Sequence, residues 1–152
     1  MTATAAGGGF DRTQVLPLTL AHESFYDNLA YQPGLVASSP YATGGDLIFH
    51  CADANHADYI HVFTNVEAAA KFVPATDLTV RVLVIGGGGA GGSWCGGGGG
   101  AGGFAEVPGK ALSSGTEYDV TVGAGGARAI AFDKYGGDGG PSAFGDVSVL
   151  GG

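Results

Sequence analysis

Glycine is distributed very unevenly along this sequence, and its distribution limits what the chain can fold into. The 152 residues contain 31 glycines, of which 25 lie in residues 86–152 and 6 in residues 1–85. Between Gly86 and Gly103, 13 of 18 residues are glycine. Glycine loses more conformational freedom on folding than any other residue, so an isolated tract of this kind behaves as a flexible linker. The composition step after residue 85 therefore divides the chain into two parts that must be ordered by different interactions.

The glycine tract is enclosed by segments with strand patterns. Leu78–Ile85 is rich in β-branched residues, and its last four residues are all apolar, which predicts burial on both faces. Glu117–Val122 alternates between polar and apolar residues, which is typical of a half-buried strand. Further strand candidates are Leu47–His50, Tyr59–Thr64, Gly103–Val107 and Ala143–Leu150. The sequence predicts a mostly β fold, in which a small sandwich-like scaffold carries long glycine-rich loops or polyglycine-II segments.

Contiguous glycine can be ordered when backbone packs against backbone. Without Cβ atoms, extended chains with about three residues per turn can approach closely and exchange amide–carbonyl hydrogen bonds. We therefore expect residues 86–103 to be ordered and non-helical. Since only glycine permits this approach, replacing a glycine in the middle of the tract, such as Gly98, with valine should damage the packing.

The first 45 residues have a different character. They contain three prolines and little periodicity, and they carry the aromatic residues Phe10, Phe25, Tyr26, Tyr31 and Tyr41. Such a segment cannot bury much against itself, so we expect residues 1–45 to form an extended docking arm. The arm would contact a different subunit or a neighbouring copy of the chain. Residues 46–152 would form the β-rich domain, with its glycine-dense part at 86–152.

One motif has the glycine spacing of a dinucleotide-binding site but lacks the helix that such a site requires. Gly86, Gly88 and Gly91 follow a strand candidate in G-x-G-x-x-G spacing, and Glu106 lies where a ribose-binding carboxylate is expected. The pyrophosphate in that motif sits on the N-terminus of a helix. Eight glycines in residues 92–103 exclude such a helix, because each costs about 1 kcal/mol relative to alanine.

Charge and apolar patterning exclude other classes. The chain has 6 Lys+Arg against 14 Asp+Glu, a net charge of −8, which disfavours binding to nucleic acid phosphates. No apolar run reaches the length of a membrane span, and no secretory signal is visible at the start. Cys51 and Cys95 are too few for a disulfide framework. We expect assembly in a cytoplasm.

Polar clusters in the sequence do not add up to a catalytic or metal site. Residues 50–61 contain six side chains of the kinds that bind metal ions, but strand alternation separates several of them. They are His50, Cys51, Asp53, His56, Asp58 and His61. Asp133 to Asp138 could offer oxygen ligands to calcium, but the spaced carboxylates of a full loop site are missing. The serines of the glycine-rich turns have no partnered base. We expect no enzyme activity, no cofactor and no metal.

Two aromatic residues lie in loops of the glycine-dense part. Trp94 lies in the centre of the tract, and Tyr135 lies in a later glycine-rich turn. Trp94 could anchor the loop by packing over glycine backbones, or it could contact a ligand or partner. Both residues are therefore candidates for contact with a partner or receptor.

Three motifs in residues 46–152 carry a family resemblance. The strand of Leu78–Gly92 runs directly into glycines, Tyr118–Gly126 reads Tyr-Asp-Val-Thr-Val-Gly-Ala-Gly-Gly, and Ser142–Gly145 reads Ser-Ala-Phe-Gly. This pattern resembles the glycine-rich module of bacteriophage tail-fibre and related virion proteins. The resemblance implies packed polyglycine-II helices or glycine loops on a small β scaffold, a place in the virion, and no catalytic residues.

These observations leave several functions open. The resemblance implies a virion tail or fibre component that acts in particle assembly or host attachment, with other virion proteins and a host surface glycan or protein receptor as partners. A non-viral surface or filament subunit and a carbohydrate-binding module that uses Trp94 and Tyr135 are the alternatives. Residues 86–152 offer few large apolar side chains to offset the entropy of ordering them. We therefore expect a homo-oligomer, with a trimer favoured.

Overall fold

The computed structural model describes residues 34–52, 57–66, 68–130 and 135–152. Within these residues the chain is built from ten strands without any helix, which confirms the predicted mostly β fold. The strands are β1 (Gly34–Val36), β2 (Ala42–Thr43), β3 (Leu47–Ala52), β4 (Ala57–Val62), β5 (Ala70–Pro74), β6 (Leu78–Ile85), β7 (Phe104–Leu112), β8 (Tyr118–Thr121), β9 (Ser142–Phe144) and β10 (Val147–Val149).

The strands form three antiparallel sheets. A five-stranded sheet has the order β10-β9-β8-β5-β2, a three-stranded sheet has the order β1-β3-β4, and β6 pairs with β7 in a long hairpin. The hairpin runs in register from Leu78 opposite Leu112 to Ile85 opposite Phe104, with an irregularity after Val80. The loop end of this hairpin, where Ile85 and Phe104 meet, is therefore where the glycine tract leaves and re-enters the scaffold.

The hairpin and the five-stranded sheet share one hydrophobic core, which gives the scaffold its sandwich-like character. The buried side chains of this core are Ala42, Phe72, Val82, Val84, Leu112, Val120 and Phe144. Phe144 lies at its centre, with its ring 5.7 Å from that of Phe72 and stacked 5.8 Å from that of Tyr118. The core therefore joins strands that are far apart in sequence.

One burial prediction for β6 is wrong. Val82 and Val84 are buried as expected, but Leu83 and Ile85 are each 56% exposed, and the cross-strand neighbour of Ile85, Phe104, is 65% exposed. In an antiparallel hairpin one face can pack on the core while the other faces solvent. No described element of this chain covers the outer face, so Leu83, Ile85 and Phe104 form an exposed apolar face, called here the outer face of the hairpin.

The end of the segment predicted to be an arm takes part in the scaffold. Residues 34–45 form β1 and β2, which pair with β3 and β5 of the same chain, and Ala42 is only 3% exposed. Tyr41 is half exposed and lies edge-on to Tyr59 at 5.6 Å. Residues 1–33, with the predicted docking residues Phe10, Phe25, Tyr26 and Tyr31, lie outside the described residues. Docking by the arm stays a prediction.

A carboxylate fastens the three-stranded sheet at its turn. Asp46, which precedes β3, accepts hydrogen bonds from the backbone N–H of Thr64 at 2.5 Å and of Asn65 at 2.9 Å, and from the Thr64 hydroxyl at 3.1 Å. These bonds, led by the one from the Thr64 amide, hold the pKa of Asp46 below its ordinary value. The charged form of Asp46 therefore ties the start of β3 to the chain that follows β4.

Candidate binding cleft at the end of a glycine bundle

The glycine segments are direct continuations of the strands. β6 and β8 each continue into one, β7 and β9 each begin where one ends, and β10 leads into the last. We number them in chain order as segment one (86–92), segment two (97–103), segment three (123–127), segment four (136–140) and segment five (150–152). The sandwich therefore fixes where each glycine segment starts and in which direction it runs.

Hydrogen bonds join segment one to its neighbours with a period of three residues. The N–H groups of Gly86, Gly89 and Gly92 donate to carbonyls of segment two, at positions 103, 100 and 97, over 2.8–3.0 Å. The N–H groups of Gly87 and Ala90 donate to carbonyls 140 and 137 of segment four at 2.9 Å. A period of three is that of the polyproline-II backbone. The glycine tract therefore forms polyglycine-II segments, one of the two forms that the sequence allowed.

Segment one is the centre of this bundle. Its Gly88 carbonyl accepts the N–H of Gly126 in segment three at 2.8 Å, and its Gly87 carbonyl accepts the N–H of Gly152 in segment five at 2.9 Å. All four surrounding segments thus bond to the same seven residues. A Cβ added at Gly87 would overlap the carbonyl oxygen of Ala124, and one at Gly139 would overlap the carbonyl of Gly87. Backbone contact of this kind requires glycine.

The prediction that Gly98 is a closely packed position is wrong. A Cβ at Gly98 would meet no atom within 4 Å, and Gly98 does not have a positive φ. Gly97 is equally open. Both lie at the beginning of segment two, where the Gly97 carbonyl makes the last hydrogen bond to segment one. The close packing demands glycine in the interior of the bundle and not at this end.

The turns from segment one to segment two and from segment three to segment four lie at the end of the bundle far from the sandwich. Segments one and two are antiparallel, as are segments three and four, in which Gly140 N–H donates to Ala124 and Gly137 N–H to Ala127. The loop at 93–96, the end of segment three at residue 127 and the start of segment four at residue 136 therefore share this distal end. Six steps of about 3.1 Å put residue 92 about 19 Å beyond residue 86.

An open cleft occupies the distal end, and it contains both aromatic residues that the sequence singled out. Its volume is about 1180 Å³, and it is lined by Ala90, Gly92, Ser93, Trp94, Cys95, Gly96, Gly97, Gly98, Tyr135, Gly136 and Asp138. Trp94 is 77% exposed and Tyr135 is 95% exposed. Most of the indole is therefore accessible to solvent, and a contact role for Trp94 stays a prediction.

The loop holds Trp94 in an unusual backbone conformation. Gly92 N–H donates to the Gly97 carbonyl and Gly96 N–H to the Ser93 carbonyl, each at 3.0 Å, which closes a tight turn around the tryptophan. Trp94 has φ of 57°, the left-handed region, where a residue with a Cβ is strained by about 1–2 kcal/mol. The bundle therefore stabilises an exposed tryptophan in a conformation that glycine would adopt more readily.

The chemistry of the cleft suits binding. It combines two aromatic faces, several glycine backbone groups and one carboxylate, that of Asp138. The sequence pattern links Asp138 only to Asp133, as possible calcium ligands, and Asp133 lies outside the described residues. Sequence reasoning missed the association of Asp138 with Trp94, because the hydrogen bonds between segments one and four create it. Local sequence patterns carry no signal for that pairing.

The polar cluster of β3 and β4 has structural contacts. His50 stacks on Tyr59 at 4.6 Å, and the Nδ1–H of His61 donates to the Gly44 carbonyl at 2.6 Å. Cys51 is buried, and burial, with a smaller effect from the Asp58 carboxylate, raises the pKa of its thiol. Asp53 and His56 lie outside the described residues, which themselves bring no three His, Cys, Asp or Glu side chains together for a metal ion.

Comparisons with known proteins place the chain in a family. Across the described ranges no helix is long and apolar enough to cross a membrane. No significant match was found among curated proteins or among solved structures. A family model described as a glycine-rich domain matches residues 64–152, which comprise β5 to β10 and all five glycine segments. The match covers more than half of the chain, and the chain therefore belongs to this family of glycine-rich domains.

Proposed function

We propose that the protein is a virion structural protein, a tail or fibre component that serves particle assembly or host attachment. The observation that carries the proposal is the position of the cleft: the bundle places Trp94 and Tyr135 at the end opposite the sandwich. A protein that attaches a particle to a surface needs its contact residues at a projecting end. The virion role itself rests on the resemblance of the strand-to-glycine motifs described above.

The bundle is well suited to carry such a contact site. Its segments are joined by backbone hydrogen bonds at nearly every third residue, so the distal loops are held without a core of large side chains. The sandwich supplies the hydrophobic anchor at the other end. The arrangement separates the part that folds from the part that meets the outside, which is what an attachment module requires.

We propose further that the protein works as a homo-oligomer, with a trimer favoured, docked on other virion proteins and assembled in the host cytoplasm. The outer face of the hairpin supports this proposal, since Leu83, Ile85 and Phe104 are large, adjacent and exposed in the single chain. Contiguous exposed apolar residues mark interaction sites more often than scattered ones do.

Purified virus particles test the proposal. Peptides of this chain should be found in gradient-purified particles by mass spectrometry, and antibodies against the chain should label the tail or its fibres in electron micrographs and reduce adsorption to host cells. Detection of the protein on a cell envelope, with none in particles, would refute the virion role and favour a surface or filament subunit.

A further inference from the structure

We infer that the distal cleft binds an uncharged oligosaccharide, clasped between Trp94 and Tyr135. The inference deepens the attachment role proposed above and rests on it for its biological purpose. Two exposed aromatic rings on the walls of one cleft are the first observation. The C–H groups on the face of a pyranose ring carry partial positive charge, and aromatic faces carry partial negative charge, so the two stack favourably.

The charges of the cleft select against acidic ligands. Among the described residues that line it, Asp138 carries the only formal charge. The chain as a whole has a net charge of −8, so a phosphate or carboxylate ligand would meet like charge and, among the described lining residues, no compensating cation. Neutral sugar hydroxyls, in contrast, can donate to the Asp138 carboxylate and to the carbonyls of the glycine loop.

Two glycines of the cleft are unexplained by the fold. Gly97 and Gly98 have open space where a Cβ would lie, and neither has a positive φ. Most interior glycines of the bundle, in contrast, face backbone atoms that a Cβ would overlap. Glycine that folding does not demand is expected where a ligand approaches the backbone closely. Gly97 and Gly98 line the same cleft as Trp94, so their missing side chains leave room for a ligand beside the indole.

The size of the cleft indicates several sugar rings. Its volume of about 1180 Å³ is above the range of roughly 300–1,000 Å³ that is common for small-molecule pockets. It is also open to solvent, since Trp94 and Tyr135 are both largely exposed. An extended oligosaccharide fits an open groove of this kind better than a single monosaccharide does.

The sequence supplies its own probe for this cleft. Trp94 is the single tryptophan of the chain, so its fluorescence reports directly on ligand binding. The full chain is first applied to an array of neutral and acidic glycans, and hits are titrated by fluorescence beside maltohexaose, N-acetyllactosamine, its sialylated form and choline chloride. We expect at least one neutral glycan to give a saturable change in Trp94 emission, and its sialylated form to bind at least 10-fold more weakly. Binding of only acidic glycans, only choline or no glycan at all overturns the inference.

Variants show whether the binding occurs in this cleft. By calorimetry, Trp94→Ala and Tyr135→Ala should each weaken the neutral glycan at least 10-fold. Gly98→Val should weaken it as well by filling the open space, while its unfolding temperature stays close to that of the wild type. Ile130→Ala removes an apolar side chain that is 87% exposed and outside the cleft, so it serves as the matched control and should bind normally. Unchanged affinity in folded Gly98→Val and Tyr135→Ala proteins would overturn the assignment even if Trp94→Ala failed to fold.

The two proposals fail separately. If particles contain the protein but the neutral glycan neither binds the chain nor inhibits adsorption, the glycan inference is wrong and the virion role stands. If the chain binds the glycan through Trp94 but is missing from particles, the virion role is wrong and the assignment of the cleft stands. Inhibition of adsorption by the glycan, lost in particles that carry Trp94→Ala, supports both.

Discussion

The backbone packing of the bundle predicts that two glycines in neighbouring segments differ sharply in their tolerance of alanine. Gly87 lies in the central segment, and its Cβ position is occupied by the carbonyl oxygen of Ala124. Its N–H donates to Gly140 and its carbonyl accepts from Gly152, both at 2.9 Å. Gly98 has neither the overlap nor a positive φ. Gly87→Ala and Gly98→Ala therefore form a matched pair with the same chemical change.

The magnitude follows from these contacts. Alanine at Gly87 must push segments one and three apart, which costs about 1–3 kcal/mol by analogy with overpacked cores. The two hydrogen bonds of Gly87 would be weakened or lost, at about 1 kcal/mol each. Alanine also restricts the unfolded chain, which returns about 0.4–1 kcal/mol to the folded state. We expect Gly87→Ala to lower the free energy of unfolding by about 2–4 kcal/mol and Gly98→Ala to change it by less than about 1 kcal/mol.

Thermal and urea unfolding, followed by the fluorescence of Trp94 and by far-ultraviolet circular dichroism, measure this difference. For a domain of this size, 1 kcal/mol corresponds to about 4 °C in Tm, so Gly87→Ala should unfold about 8–16 °C lower. Amide exchange should also accelerate across segments one, three and five. Equal losses for the two variants, or no loss in Gly87→Ala, would show that the segments do not pack through their glycine backbones.

Three further results are expected. Asp46→Asn should lower the free energy of unfolding by about 1 kcal/mol at pH 7. Amide hydrogen bonds hold the pKa of Asp46 below 3.8, so the stability that its charged form contributes is present above that value and is lost as pH falls through the lowered pKa. The difference in unfolding free energy between the variant and the wild type, measured in urea, should therefore disappear at acid pH. Exposed Cys95 should react quickly with a thiol reagent, whereas buried Cys51, with a thiol pKa that burial raises, should react only on unfolding. Equal reaction rates for the two cysteines in a stopped-flow assay would contradict this. Leu83→Glu should shift the protein towards the monomer in sedimentation, because it puts a charge on the outer face of the hairpin; an unchanged distribution would remove that face from the interface.

The sequence predicted those features that depend on neighbouring residues. The alternation of polar and apolar residues in Glu117–Val122 predicted a half-buried strand, and β8 occupies Tyr118–Thr121 with Val120 buried. The density of glycine after Ile85 predicted an ordered, non-helical tract, because glycine disfavours a helix and the flanking strands allow glycine backbones to pack on one another. Both inferences needed only local sterics and the period of the side chains.

The features that the sequence did not predict depend on contacts between distant segments. Exposure of Leu83 was missed because burial of a strand on both faces requires a second layer, and a run of apolar residues does not show whether one is present. The choice of Gly98 failed for a similar reason. In a polyglycine-II segment every glycine looks alike in sequence, and only the hydrogen-bond register to segment one distinguishes the packed positions from the open ones.

The distal loop departs from these packing rules in two opposite ways, and both departures point to the same cleft. At Trp94 the backbone adopts a left-handed conformation that glycine would take more readily, yet the largest side chain of the chain stands there, largely exposed. At Gly98 the surroundings would accept a side chain, yet none is present. Folding alone would favour the reverse arrangement, with glycine at 94 and a residue with a Cβ at 98, and such a chain would be the more stable one. Local strain that the rest of the structure must offset is concentrated at functional sites. The indole of Trp94 offers a flat apolar surface, and the missing side chain of Gly98 leaves room in the same cleft. A ligand that stacks on the indole would occupy that room.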